Sequence, residues 1–236
     1  MRAASQWAAH RRGQIGFAVL TPRAYWCVRC WTTARTQSTA KVLLMLADLR
    51  SPGVRNSPLA GWRKAQLSVM IRRSDNVAAH TVFNRVGQGG MMAVARAAHL
   101  KNFSAHNPWY ASTITAADGA RLMLYVDRLF PKRHLKFGMG LLSTIIPSQR
   151  WGIGQTKPRC WSLYFKGGWG DGSGDDDHQF ALLRHFRERA AIAITVSWSP
   201  SHAYGKETLH GIAKRLLQDI PRPKGCGKKP KKKKKR

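Results

Sequence analysis

Gln37-Ser38-Thr39-Ala40-Lys41 runs straight into the apolar segment Val42-Leu43-Leu44-Met45-Leu46-Ala47-Asp48-Leu49. The apolar segment reads as a buried helix. A hydroxyl followed three residues later by an amine, at the opening of that helix, brings Ser38 and Lys41 onto one face. The unpaired N–H groups and the positive end of the helix dipole favour negative charge developing at Ser38. An adjacent amine can make a serine nucleophilic. The bland alternative is a capped core helix with a surface lysine, and the S-x-x-K spacing alone does not separate the two.

Upstream, Ala3 to His10 reads as a short helix, and Ile15 to Leu20 and Ala24 to Trp31 as strands joined at Thr21-Pro22-Arg23. Downstream, helices are predicted over 59–72, 77–86 and 91–100, with Gly87-Gln88-Gly89-Gly90 closing the second. A polar, aromatic loop from Lys101 to Thr113 is too long for a simple connector, and such loops often carry function. Thr115-Ala116-Ala117-Asp118 starts a helix over 119–130, and one more helix is expected over 135–146. The texture then turns to strands at 161–165, 179–184 and 190–197, followed by a terminal helix at 204–217. The expected fold is α+β: an antiparallel sheet built from both chain ends, flanked by terminal helices, with a helical lobe inserted between. That places one domain over 1–221, its lobe over about 42–146, and a disordered polybasic tail over 222–236. Ser38 would lie where lobe and sheet meet.

A length of 236 residues, 43% hydrophobic content and nine tryptophans exclude a disordered chain. The net charge is +30, and the last fifteen residues supply ten of the positive charges. The body is therefore basic too, and an anionic polymer is an expected partner, reached above all through the tail. No zinc-finger spacing, RNA-recognition signature or basic zipper accompanies the charge, so a dedicated nucleic-acid function rests on charge alone. Cys27 and Cys30 have C-x-x-C spacing without a second such pair, and in a strand they would face opposite sides; with Cys160 and Cys226 they are expected as ordinary thiols rather than zinc ligands. The acidic run Asp171 to Asp177 lacks the spacing and closing glutamate of a calcium loop. No metal and no cofactor is expected. The stretch Met1 to Leu20 lacks the apolar core of an export signal, and no segment has the length of a membrane span, so the chain read literally is soluble and unexported. A monomer is expected.

Three short motifs fall in a fixed order: Ser38-Thr39-Ala40-Lys41, Ser74-Asp75-Asn76 and Lys166-Gly167-Gly168. The first opens a helix, the second lies between helices, and the third ends a strand. This triplet resembles that of the serine penicillin-recognising enzymes, S-x-x-K, S-D-N and K-T-G, and the chain is most similar to a shortened class A β-lactamase-like serine hydrolase. The resemblance implies catalytic roles for Ser38, Lys41, Ser74 and Lys166. Ser38 would attack a β-lactam or a related peptide-like amide, Lys41 would take its proton, Ser74 would pass a proton to the leaving nitrogen, and Lys166 would hold the substrate carboxylate. Burial and the neighbouring Lys166 would depress the pKa of Lys41. Asn76, Gly167, Gly168 and Trp169 would bind substrate, with the N–H groups of Ser38 and Trp169 forming the oxyanion hole. Taken by itself, Ser74-Asp75-Asn76 is also a good helix cap. Trp151-Gly152 matches a pair in the relatives, where packing is its expected role.

Two departures bear on activity. Class A enzymes free the acyl group with a glutamate in the loop after the second motif. This chain has only Glu188 and Glu207, both beyond the third motif, and the 101–113 loop has no carboxylate, so slow deacylation is expected. Gly167 replaces the usual threonine and removes a hydroxyl. The resemblance also implies an extracellular or cell-envelope location, against the cytoplasmic one that the missing signal implies.

Overall fold

The computed structural model describes residues 1–170, 175–218, 220, 223 and 226. Its frame is a five-stranded antiparallel sheet of β1 (Gln14–Leu20), β2 (Tyr25–Val28), β5 (Ser162–Gly170), β6 (Asp175–His185) and β7 (Glu188–Ser199), in the order β2-β1-β7-β6-β5. The two ends of the chain thus meet at the β1–β7 pairing, where Phe17 lies opposite Ile194. Both residues are fully buried.

Two helical layers cover the sheet. Helix α8 (His202–Leu217), with α1 (Arg2–Ala9) against it, packs on β6 and β7; α5 (Ala116–Leu124) packs on β7, β1 and β6. Gly119 of α5 rests on the ring of Phe180, whereas Gly205 of α8 rests on Asp177. Those strand residues are three apart and so face opposite sides. The expected α+β architecture, a sheet from both chain ends with flanking helices, is the one observed.

Helix α2 (Lys41–Arg50) buries every residue from Lys41 to Leu49, as its uninterrupted apolar sequence requires. It is wrapped by α3 (Gly61–Arg72) and α4 (Asn76–Ala97). The expected stop at 87–90 is instead a kink within α4: only Gly87 leaves helical geometry, at φ 60, and the chain then resumes the helix. After α5, Tyr125 interrupts the predicted helix before the single turn α6 (Val126–Leu129), and α7 (Leu135–Ser143) follows. A pairing that the sequence did not announce joins β3 (Thr33–Arg35) to β4 (Thr113–Thr115), and ties the segment before Ser38 to the end of the 101–113 loop.

The cysteines overturn the expectation of free thiols. Cys27 is bonded to Cys30 and Cys160 to Cys226. The strand ends at Val28 and Arg29 takes φ 43, which turns Cys30 back so that its Cα lies 5.3 Å from that of Cys27. Among the described residues no group of side chains could hold a metal, and no helix is long and apolar enough to cross a membrane. Most of the 222–236 stretch and part of the acidic run lie outside the described residues.

Candidate active site

Residues Gln37 to Ala40 form a 3-10 turn that feeds directly into α2, so Ser38 and Lys41 project together from the helix entrance. Lys41 Nζ lies 2.8 Å from Ser38 Oγ. Ser74 and Asn76 arrive from the start of α4, where Asp75 is the N-cap and accepts from the Ala78 N–H at 2.7 Å. The capping reading and the catalytic reading therefore fall on different residues of one tripeptide. Ser74 itself is held at φ 58, an unfavourable region for a residue with a Cβ.

Lys41 Nζ also lies 2.6 Å from the Ser74 carbonyl, 2.7 Å from Asn76 Oδ1 and 3.2 Å from Ser74 Oγ. A neutral amine has two N–H groups and one lone pair. The carbonyl and the Asn76 oxygen use the two donors, which leaves the lone pair to accept the Ser38 hydroxyl proton. Burial pushes the Lys41 pKa down to about 7, against a smaller upward pull from Asp75, so near neutral pH much of the amine is in that form.

Lys166 reaches in from β5. Its Nζ donates to Ser74 Oγ at 2.9 Å and to the Gly167 carbonyl at 2.6 Å. Ser74 Oγ thus bridges the two amines. Complete burial, and then the charge of Lys41, hold the Lys166 pKa well below its ordinary value. The repulsion between the lysines therefore bears on Lys166, whereas burial accounts for the lowering at Lys41. Ser38 and Ser74 are 8% and 9% exposed, so both hydroxyls are largely shielded from solvent.

Strand β5 passes close beside Ser38. A Cβ on Gly168 would lie 2.9 Å from Ser38 N and 2.8 Å from Thr39 N, whereas one on Gly167 would meet nothing nearer than 3.7 Å. Trp169 follows, with its ring 6.0 Å from that of Trp151. Trp151 is held there by Gln179, which donates to the Trp151 carbonyl and accepts from the Ile153 N–H, each at 2.8 Å. The two indoles wall the end of β5, a placement that goes beyond the packing role expected for Trp151.

One neighbour of the site was not singled out from the sequence. Trp109, in the 3-10 turn Trp109–Ala111 of the long loop, is buried with its ring centre 4.8 Å from Lys41 Nζ. His80 and Tyr110 pack edge-on against it. The only sequence signal was the aromatic content of that loop. The loop carries no carboxylate, and it sets an indole against the amine.

A serine, two buried lysines and a second serine, joined across a helical lobe and an antiparallel sheet, are the arrangement of a β-lactamase-like hydrolase. The chain belongs to the Beta-lactamase enzyme family, whose model matches residues 64–220, a span holding Ser74, Asn76 and Lys166 to Trp169 but beginning after Ser38 and Lys41. Among solved structures it is similar to a β-lactamase from Sphaerobacter thermophilus, with TM-score 0.75 and 16% identity over 92% of this chain and 96% of that one. It is similar also to TLA-1 extended-spectrum β-lactamase, with TM-score 0.77 and 17% identity over 92% and 96%, and to an ancestral class A β-lactamase, with 0.75 and 16% over 92% and 98%. At such identities these are likenesses of fold. No curated protein sequence matches the chain.

Proposed function

We propose that the protein is a serine hydrolase that forms an acyl-enzyme at Ser38 with β-lactams or related amides, and releases the acyl group slowly. The observation that carries this reading is the 2.8 Å contact between Ser38 Oγ and Lys41 Nζ, with the two shorter contacts of the amine, to the Ser74 carbonyl and Asn76 Oδ1, taking its N–H groups. In the reaction, Ser38 Oγ bonds to the carbonyl carbon while its proton passes to Lys41. The N–H groups of Ser38 and Trp169 hold the oxyanion. Collapse of the tetrahedral species breaks the C–N bond, and Ser74 protonates the departing nitrogen, its own proton restored from the lysines it bridges. Lys166 is suited to a substrate carboxylate, whose arrival would raise its pKa and favour the charged form. Asn76 and the Trp151–Trp169 wall would orient the side arm.

Hydrolysis of the acyl group needs a base for water. The 101–113 loop has no glutamate or aspartate, and its Trp109 faces Lys41. The acyl-enzyme should therefore be long-lived. Intact-protein mass followed over time after mixing with a penicillin tests both steps, with Ser38→Ala as control. An adduct of the full mass of the drug that forms only with Ser38 and persists supports the reading. Absence of a Ser38-dependent adduct at any concentration overturns it.

The net charge of +30 favours a second reading, a catalytically weak binding protein on the same scaffold that holds an anionic polymer. Deleting residues 222–236 should then weaken polyanion binding and flatten its salt dependence. Unchanged affinity would remove the tail from the contact.

A further inference from the structure

At the end of α2 remote from Ser38 lies a cleft of about 520 Å³. It is lined by Arg50, Arg55, Asn56, Lys132 and Arg133, over a floor of Phe130 and Pro131. The ten residues of α2 put it on the order of 14 Å from Lys41, so it is separate from the catalytic cluster. Its two walls are fastened together. His134 Nε2 is 2.8 Å from the Val54 carbonyl, and Arg50 Nη1 donates to the Leu129 carbonyl at 2.8 Å. The cleft is therefore formed before any ligand arrives.

Among the described residues its charge is uncompensated. Asp48, two residues before Arg50, is occupied by Arg63 and Arg85, and Asp127 by Arg184 and Arg189. Among the described residues none of Arg50, Arg55, Lys132 and Arg133 makes an ion pair. Converging cations repel one another, and an anion seated between them removes that repulsion while accepting charge-assisted hydrogen bonds. Planar guanidinium forks match the paired oxygens of a phosphate, and Asn56 adds a neutral donor.

We propose that this cleft is a binding site for a phosphate-bearing ligand, distinct from the acylation site. The proposal does not rest on the hydrolase reading. Full-length protein is titrated calorimetrically with inorganic pyrophosphate at fixed ionic strength, alongside Arg55→Ala/Arg133→Ala and a control, Lys64→Ala/Arg96→Ala, that removes the same charge from exposed helical positions. Saturable binding is expected, weakened at least about tenfold in the cleft variant and little changed in the control. Arg55→Lys/Arg133→Lys should weaken it by less. Equal weakening in cleft variant and control, or no saturable binding, overturns the proposal. Sedimentation with phosphatidylcholine vesicles, with and without phosphatidate, separates the sources. A phosphatidate-dependent loss in the cleft variant identifies a lipid headgroup, and a loss confined to pyrophosphate identifies a soluble phosphoester. Because all four substituted positions are exposed, unchanged melting temperatures are expected throughout.

Discussion

Lys41 Nζ stands 4.8 Å from the centre of the buried Trp109 ring, so two opposed effects meet on one amine. Burial favours the neutral form, whereas the face of the ring favours the cation by about 0.5–2 kcal/mol, or roughly 0.4–1.5 pH units. The ring also excludes water from the amine. Trp109 is thus a positioning residue for the proposed base.

Acylation should accordingly rise with pH through about 7, as Lys41 loses its proton. In Trp109→Leu the cation loses its aromatic partner and the midpoint should move to lower pH by about half a unit or more. Trp109→Phe, which keeps a ring, should restore most of the shift. The Trp109 Nε1 has no hydrogen-bond partner among the described residues, so phenylalanine sacrifices none. The rate of adduct formation measured from about pH 5 to 9 is the test, those limits chosen to span roughly two units either side of the Lys41 pKa. Identical midpoints in all three proteins would remove Trp109 from the control of Lys41.

The same depressed pKa bears on stability. In the folded chain Lys41 titrates near 7, and in the unfolded chain near its ordinary 10.5. Between those values the unfolded state holds a proton that the folded state lacks, so raising the pH stabilises the fold; below 7 both states are protonated and the full cost of the buried charge is felt. Lys166, also depressed, acts in the same direction. Lys41→Met should be more stable than the parent near neutral pH and should show a flatter rise in denaturation midpoint from pH 7 to 10. A parallel dependence in the two proteins would show that Lys41 is not buried as a charge-sensitive group.

Reduction should act mainly through Cys160–Cys226, which ties the start of β5 to the chain beyond α8. The bridge closes a loop of 66 residues, for which chain-entropy reasoning gives about 4 kcal/mol. The Cys27–Cys30 loop is too short to contribute comparably. Cys160→Ser/Cys226→Ser should lower the melting temperature by several degrees, and Cys27→Ser/Cys30→Ser by much less. Equal losses would point to local packing instead of chain restriction.

The candidate catalytic cluster was legible because its residues fall in strings of three or four, two of them at element boundaries that the sequence also marks, Ser38 at a helix entrance and Asp75 at a cap; Lys166 instead lies within β5, which runs on past the strand end expected at residue 165. The sheet was legible because strands at both chain ends left no other partner for each other. The indole against Lys41 was not, since Trp109 sits in a loop without periodicity and meets the amine only through the tertiary fold. Strands β3 and β4 are three residues each, too short for alternation to register. Nor do spacings report the backbone twist at Arg29 that closes the first disulfide.

Adjacent glycines of β5 should respond in opposite ways to the same methyl group. A Cβ at Gly168 would stand 2.8–3.0 Å from Thr39 N, Ser38 N and Thr36 O, all of them backbone atoms that cannot rotate away. Relief requires β5 and the 37–40 turn to separate, which moves the Ser38 N–H away from the oxygen it is proposed to bind. At Gly167 the nearest atom would be a Trp151 ring carbon at 3.7 Å, an ordinary contact. Gly168→Ala should therefore lower the acylation rate by about a hundredfold or more, the scale expected for loss of an oxyanion donor. Gly167→Ala should retain most of the activity, because its methyl meets only side chains, those of Trp151 and Gln179, at ordinary contact distances of 3.7–3.8 Å. Adduct formation timed by intact mass compares the two directly. If Gly168→Ala acylates as fast as Gly167→Ala, the close passage of β5 beside Ser38 has no part in the chemistry.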